Sequence, residues 1–212
     1  MRGKFISLEG GEGAGKSTQA KLLKAKLEAA GHRVVLTREP GGSPGAEDIR
    51  KLLVQGEPDR WTPLTETLLF LAARSDHVAR VIAPALARGD WVITDRFSDS
   101  TIVYQGVARG LGIDRVRSLQ AAVQANDASG VLPDLTLVLD LPAEAGLERT
   151  RARKDADDRF EKFDGNFHEK LRAAFREIAR AEPKRCATVD AARDQASVAN
   201  EIWTHVVERL NP

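Results

Sequence analysis

The chain has 212 residues, with 32 Lys plus Arg against 31 Asp plus Glu, so its net charge is +1. That length fits one ordinary domain spanning 1–212 with a sizeable buried core, and the balanced charge argues against a nucleic-acid coat or a polybasic membrane binder. A single cysteine, Cys186, excludes an internal disulfide framework. No apolar run approaches the ~20 residues of a membrane span, and Phe5-Ile6-Ser7-Leu8 is too short for a signal peptide. The expected compartment is therefore the cytoplasm, with no membrane or nucleic-acid partner.

In chain order, short apolar runs alternate with amphipathic ones. Phe5 to Leu8 reads as a strand, and Lys16 to Ala30 as a helix with Leu22, Leu23 and Leu27 on one face, ended by Gly31. Val34 to Thr37 is a second strand, 41–45 a glycine-rich loop and 46–54 a helix. A long helix covers 65–88, with a bend expected at Pro84. Trp91 to Thr94 is a third strand, followed by helical patterns near 99–107 and 114–127. Leu135 to Leu139 is a fourth strand, with helix at 143–153 and 167–182. The pattern closes with a short fifth strand at 186–189 and a helix at 195–210. Strands apolar on both faces, separated by helices, predict an α/β fold with a five-stranded parallel sheet covered on both sides. Ligands in such sheets bind beyond the carboxyl ends of the strands.

After the first strand comes Gly10-Gly11-Glu12-Gly13-Ala14-Gly15-Lys16-Ser17, a match to G-x-x-x-x-G-K-[ST]. Its glycines let backbone N–H groups turn inward around phosphate oxygens, and the following helix adds its positive end. Lys16 would reach the β- and γ-phosphates of a nucleoside triphosphate, Ser17 would hold Mg²⁺, and Thr18 completes the nucleotide cradle. The bland alternative is a glycine-rich turn without a ligand. A GTPase would need a guanine motif after the fourth strand, where Asp140-Leu141-Pro142-Ala143 stands instead. A small kinase fits the length. Asp95-Arg96 follows the third strand. An acid there suits Mg²⁺ or a base, and the arginine suits a second phosphate. A surface ion pair is the competing reading.

Phe5 to Thr18, Arg38-Glu39-Pro40-Gly41-Gly42, Leu69 to Arg74, Asp95-Arg96-Phe97, Tyr104-Gln105-Gly106 and Pro133 to Thr136 together resemble the bacterial thymidylate kinases, over essentially the whole chain. The resemblance implies a P-loop NTPase fold with a lid at about 149–162, a homodimer, and Mg²⁺-dependent transfer of the ATP γ-phosphoryl group to dTMP, giving dTDP and ADP for dTTP synthesis. It implies that Arg38 and Arg96 hold the dTMP phosphate and that Asp95 orients Mg²⁺ or that phosphate. It further implies that Phe70 stacks on thymine and Arg74 donates to its O4, the two sharing a helix face four residues apart. Without the resemblance, Phe70 in Leu68-Leu69-Phe70-Leu71 reads as core. By the same route Ser100, Thr101, Tyr104 and Gln105 surround the nucleoside, with Tyr104 under the sugar. Arg149 lies along adenine. The phosphate loop carries Glu12 and no arginine, so the resemblance assigns a catalytic arginine to the lid, where Arg153 matches best by register and Arg151 and Arg159 are neighbours. Otherwise the 149–159 charge run is a solvated helix end. Another nucleoside monophosphate kinase, or a nucleotide-dependent switch, are the rival functions. Cys186, the four histidines and the three tryptophans read as packing residues.

Overall fold

The computed structural model describes residues 2–126, 131–151 and 158–212. Its five strands are β1 (Phe5–Glu9), β2 (Val34–Arg38), β3 (Trp91–Asp95), β4 (Leu135–Asp140) and β5 (Cys186–Asp190). They pair in the order β2-β3-β1-β4-β5, every pair parallel, as a sheet with helical crossovers requires. The helices are α1 (Lys16–Ala29), α2 (Pro44–Val54), α3 (Pro63–His77), α4 (Ala83–Ala87), α5 (Ser98–Thr101), α6 (Ile113–Asn126), α7 (Ala143–Arg151), α8 (Gly165–Ala181) and α9 (Gln195–Leu210). None of the described helices is long and apolar enough to cross a membrane.

Successive strand residues point to opposite faces, and the two faces bury different sets. On one side Ile6, Leu8, Leu135, Leu137 and Leu139 pack with Leu23 and Leu27 of α1 and Val198, Ile202 and Val206 of α9. On the other, Val138 meets Val103, Tyr104, Leu171 and Phe175, while Phe5 and Val92 meet Val78, Ile82 and Leu86. Burying each such Leu, Ile or Phe contributes roughly 1.5–3 kcal/mol. The central strands are apolar on both faces because helices cover both.

Two helices depart from the even pattern expected of them. The 65–88 helix is three segments: α3, a π-helical turn at Val78–Ile82, and α4. The Ala83 N–H reaches back five residues to the Val78 carbonyl, immediately before Pro84, which has no N–H to donate. The helix near 99–107 is α5 running into a second π segment, Ile102–Ala108. This wide turn carries Tyr104 and Gln105, consistent with the tendency of π segments to sit at functional sites. The helix expected at 143–153 is described to Arg151; Arg153 lies outside the described residues.

Candidate active site

The ends of β1, β2 and β3 open onto one cavity of about 540 Å³, lined among others by residues 12–18, 38–40 and 95–97. The loop after β1 turns through positive φ at Gly10, Gly13 and Gly15. A Cβ on Gly13 would lie 2.1 Å from the Gly146 carbonyl oxygen, and one on Gly146 would lie 2.2 Å from that of Glu12. Helix α7 therefore rests on the loop backbone, an approach open only to glycine. Helix α1 starts directly after, with no side-chain cap and no acid in its first turn. Its orphan N–H groups and positive dipole end are left for an anion.

Lys16 Nζ donates to the carbonyls of Gly10 at 3.2 Å and Gly11 at 2.7 Å. Burial and the neighbouring Arg96 pull its ammonium down to about 8, against Asp95 and Glu12, which favour the charge. Ser17 Oγ donates to Asp95 Oδ2, linking the start of α1 to the end of β3. Among the described residues no three His, Cys, Asp or Glu side chains cluster as a metal site. Mg²⁺ asks for less, one or two protein oxygens with phosphates and water supplying the rest. The Ser17 hydroxyl and Asp95 carboxylate are such hard donors, in mutual contact at the cavity wall.

Arg96 has φ 71°, a left-handed conformation that costs a side-chain-bearing residue roughly 1–2 kcal/mol. It is held by many contacts. Its N–H donates to the Leu8 carbonyl at 2.9 Å. Its guanidinium donates to the Gly10 carbonyl at 2.9 Å, Glu12 Oε1 at 2.9 Å and Ser100 Oγ at 3.2 Å, and lies 4.8 Å over the Tyr104 ring. The Tyr104 hydroxyl donates to the same Glu12 oxygen at 2.6 Å. Burial would raise the Glu12 carboxyl, but Arg96, Lys16 and Tyr104 hold it at about 2. Behind them Glu9, the last residue of β1, accepts from the Phe97 N–H at 2.8 Å and Ser100 Oγ at 2.6 Å. Burial, with Asp99 nearby, pushes its carboxyl up to about 8.

In the same cavity, Arg74 donates from Nε to Glu39 at 2.7 Å and from Nη2 to the Phe97 carbonyl and Thr101 Oγ1, both at 3.0 Å. Its Nη1 is buried with no hydrogen-bond partner among the described residues. Glu39, before a cis peptide bond to Pro40, also contacts His77 Nδ1 at 3.1 Å. Phe70 is half-buried, lines the cavity and has its ring 6.1 Å from that of Phe160. One cavity thus joins an anion-binding loop to an aromatic slot with a waiting donor.

Comparison with known proteins gives that cavity a family. The sequence pattern of thymidylate kinases matches residues 8–202. The chain is 56% identical over 209 residues to a thymidylate kinase of Caulobacter vibrioides, covering 99% of this chain and 98% of that protein. It is 53% identical over 207 residues to one of Dinoroseobacter shibae, covering 96% of each. The chain belongs to the thymidylate kinase family. The crystal structure of thymidylate kinase from Ehrlichia chaffeensis agrees with it at a TM-score of 0.76 and 32% identity, over 97% of this chain and 99% of that one. Members of this family are nucleoside monophosphate kinases built on the P-loop NTPase fold, and so is this chain.

Most of the thymidylate kinase positions expected from sequence meet in the cavity. Glu12, Gly13, Ala14, Gly15, Lys16, Ser17, Thr18, Arg38, Phe70, Arg74, Asp95, Arg96, Ser100, Thr101, Tyr104 and Gln105 all line it. Arg38 is half-exposed and tied to Glu47 at 3.1 Å. Arg149, on α7, donates to the Ala191 carbonyl at 3.5 Å and is not among the lining residues. Arg159, one of the lid arginines, is wholly buried away from the cavity. Sequence reasoning passed over Arg50, Val54, Thr150, Phe160 and Glu161, which also line it. For Arg50 and Val54 a signal existed, since residues four apart on a helix share a face.

Proposed function

We infer that this protein transfers the γ-phosphoryl group of ATP to dTMP, giving dTDP and ADP. The observation that carries the reading is one cavity lined both by the P-loop and by Arg74, whose buried Nη1 is a donor without a partner among the described residues. A pyrimidine carbonyl supplies the missing acceptor, and Phe70 beside it offers an aromatic face for the base. Thr101 and Gln105 stand at the base edge, and Tyr104 packs under the sugar where a 2′-hydroxyl would project.

No covalent enzyme intermediate is needed. Residues 10–18 hold the donor phosphates, with the Lys16 ammonium exchanging the Gly10 and Gly11 carbonyls for phosphate oxygens. Arg38 and Arg96 hold the acceptor phosphate in line. Ser17 and Asp95 would hold Mg²⁺, which when bound neutralises charge on the phosphates. Catalysis is then positioning and electrostatic stabilisation in a dry site. The homodimer belongs to this proposal too. Leu52 of α2, Leu68 of α3 and Ile113 of α6 are exposed apolar residues on neighbouring helices, which supports an interface there. The test is ADP release dependent on dTMP, measured beside AMP, GMP and dCMP. Equal kcat/KM for dTMP and AMP overturns the assignment.

A further inference from the structure

The largest fully buried side chain in the described protein is an arginine, Arg159. It sits beside Glu66, itself wholly buried on α3. Burying both charges is costly unless they are well hydrogen-bonded, and here every side-chain nitrogen and oxygen of the pair has a partner. Arg159 donates from Nε to the Glu57 carbonyl at 2.9 Å and from Nη1 to the Leu53 carbonyl at 3.0 Å. From Nη2 it donates to the Pro58 carbonyl at 2.7 Å and to Glu66 Oε2. Its backbone N–H donates to the Val54 carbonyl at 3.1 Å. Leu53 and Val54 end α2, where carbonyls lack helical partners and the dipole is negative. Arg159 thus caps a helix that ended 105 residues earlier in the chain.

Glu66 is the hub of this cluster. Its Oε1 accepts from Gln105 Nε2 at 2.9 Å and lies 3.6 Å from Arg109 Nε. The two guanidiniums each rest on an aromatic ring of the 158–163 segment, Arg159 at 5.0 Å over Phe160 and Arg109 at 5.4 Å over Phe163. Phe160 in turn stands 5.4 Å from the Tyr104 ring, edge to face, and 6.1 Å from that of Phe70. Phe160, Phe70, Tyr104 and Gln105 all line the cavity, whereas Arg159 and Glu66 do not.

We propose that Glu66 and Arg159 are a positioning pair that sets the Phe160 wall of the acceptor pocket, and with it the affinity for the monophosphate, without touching either substrate. The proposal rests on the reading that the Phe70 end of the cavity takes dTMP. Among the described residues neither Glu66 nor Arg159 makes a hydrogen bond or ion pair with residues 10–18, so the effect should fall mainly on the acceptor side.

The experiment is a kinetic cycle of Arg159→Met, Phe160→Ala and the double variant, with Arg159→Lys and wild type beside them and folding checked by circular dichroism. Arg159→Met should raise the dTMP KM about tenfold, with the ATP KM and kcat at saturating dTMP changed less than about threefold. Phe160→Ala should do the same, and the double variant should be no worse than the poorer single one, because both act through one wall. Arg159→Lys keeps a charge for Glu66 but loses the fork to the three carbonyls, so its dTMP KM should be intermediate. If Arg159→Met does not fold, Arg159→Lys takes its place in the cycle. A dTMP KM that stays at the wild-type value while melting temperature falls, or full additivity in the double variant, overturns the proposal. Absence of dTMP-dependent ADP release in wild type overturns the dTMP reading beneath it.

Discussion

Replacing dTMP with dCMP turns the O4 carbonyl into an amino group, strips the N3 proton and removes the 5-methyl group; in the proposed site the new amino group is the change that Arg74 cannot accommodate. Its side chain is 7% exposed and its Glu39 partner 4%. Three hydrogen bonds, to Glu39, the Phe97 carbonyl and Thr101, fix the guanidinium plane. Turning it away would strand a buried carboxylate. Nη1 therefore presents a fixed donor, and an amino group opposite leaves two buried donors unsatisfied. At about 1–3 kcal/mol each, the mismatch amounts to about 2–6 kcal/mol, or at least about thirtyfold in kcat/KM. The assay is coupled ADP release with dTMP, dUMP and dCMP at fixed ATP. dUMP keeps the carbonyl and should stand closer to dTMP than dCMP does. A dCMP value within about threefold of dTMP, or dUMP as poor as dCMP, refutes the reasoning.

Lys16→Ala should lower turnover at least about 100-fold, the scale of losing one fixed donor to a transferring group, while calorimetry still finds dTMP binding at the far end of the cavity. Phe70→Ala should weaken dTMP binding by about 1–3 kcal/mol, the worth of one base–aromatic stack; a lower melting temperature with unchanged affinity would return Phe70 to the core. Glu12→Gln should reduce stability in a pH-dependent way. The folded carboxyl is held at about 2, below its unfolded value, so its contribution is complete above the unfolded pKa and fades as pH falls towards 2. The difference in melting temperature from wild type should thus be flat from about pH 6 to 8 and shrink below about pH 4.5. Arg153→Ala should lower kcat at least about 100-fold with little change in dTMP Kd, read by steady-state kinetics and calorimetry; a loss below about threefold removes Arg153 from the mechanism.

The sheet was legible because local pattern and global fold agree. Strands such as Phe5 to Leu8 and Leu135 to Leu139 carry apolar residues on both faces, and the structure covers both. The P-loop was legible because its chemistry depends on consecutive residues. Phe70 was not legible from pattern alone, since a half-buried ring in Leu68-Leu69-Phe70-Leu71 has the same periodicity whether it faces core or cavity. Arg159 was misplaced for a related reason. In the charge run from 149 to 159 nothing marks one arginine as buried, because its acceptors, Glu66 and the carbonyls of 53, 57 and 58, lie about a hundred residues away. The π segments were invisible because they show only in backbone bonds such as Ala83 to Val78.

Charge accounting inside the cavity bears on where catalytic positive charge arises. Arg96 is committed to Glu12 in a half-closed setting, with side chains 15% and 21% exposed, and the strongly depressed Glu12 carboxyl keeps that pair charged at any working pH. Arg74 is committed to Glu39 more deeply still. Arg38 differs. Its pair with Glu47 is 54% and 38% exposed, and such surface pairs are worth only about 0–1 kcal/mol, so an incoming phosphate can take Arg38 over at little cost. An acid in the phosphate loop thus draws Arg96 towards the junction of donor and acceptor, where it can hold an acceptor phosphate but brings no net charge with it. In the proposed reaction Lys16 supplies one cation on the donor side. The charge that develops on a transferring phosphoryl group calls for another, and Arg159 is not available because all three of its guanidinium nitrogens are spent on the Glu66 cluster. That elimination moves the weight onto Arg151 and Arg153, and it makes the kcat of the Arg153 variant the measurement on which the proposed division of labour between loop, acceptor arginines and lid depends.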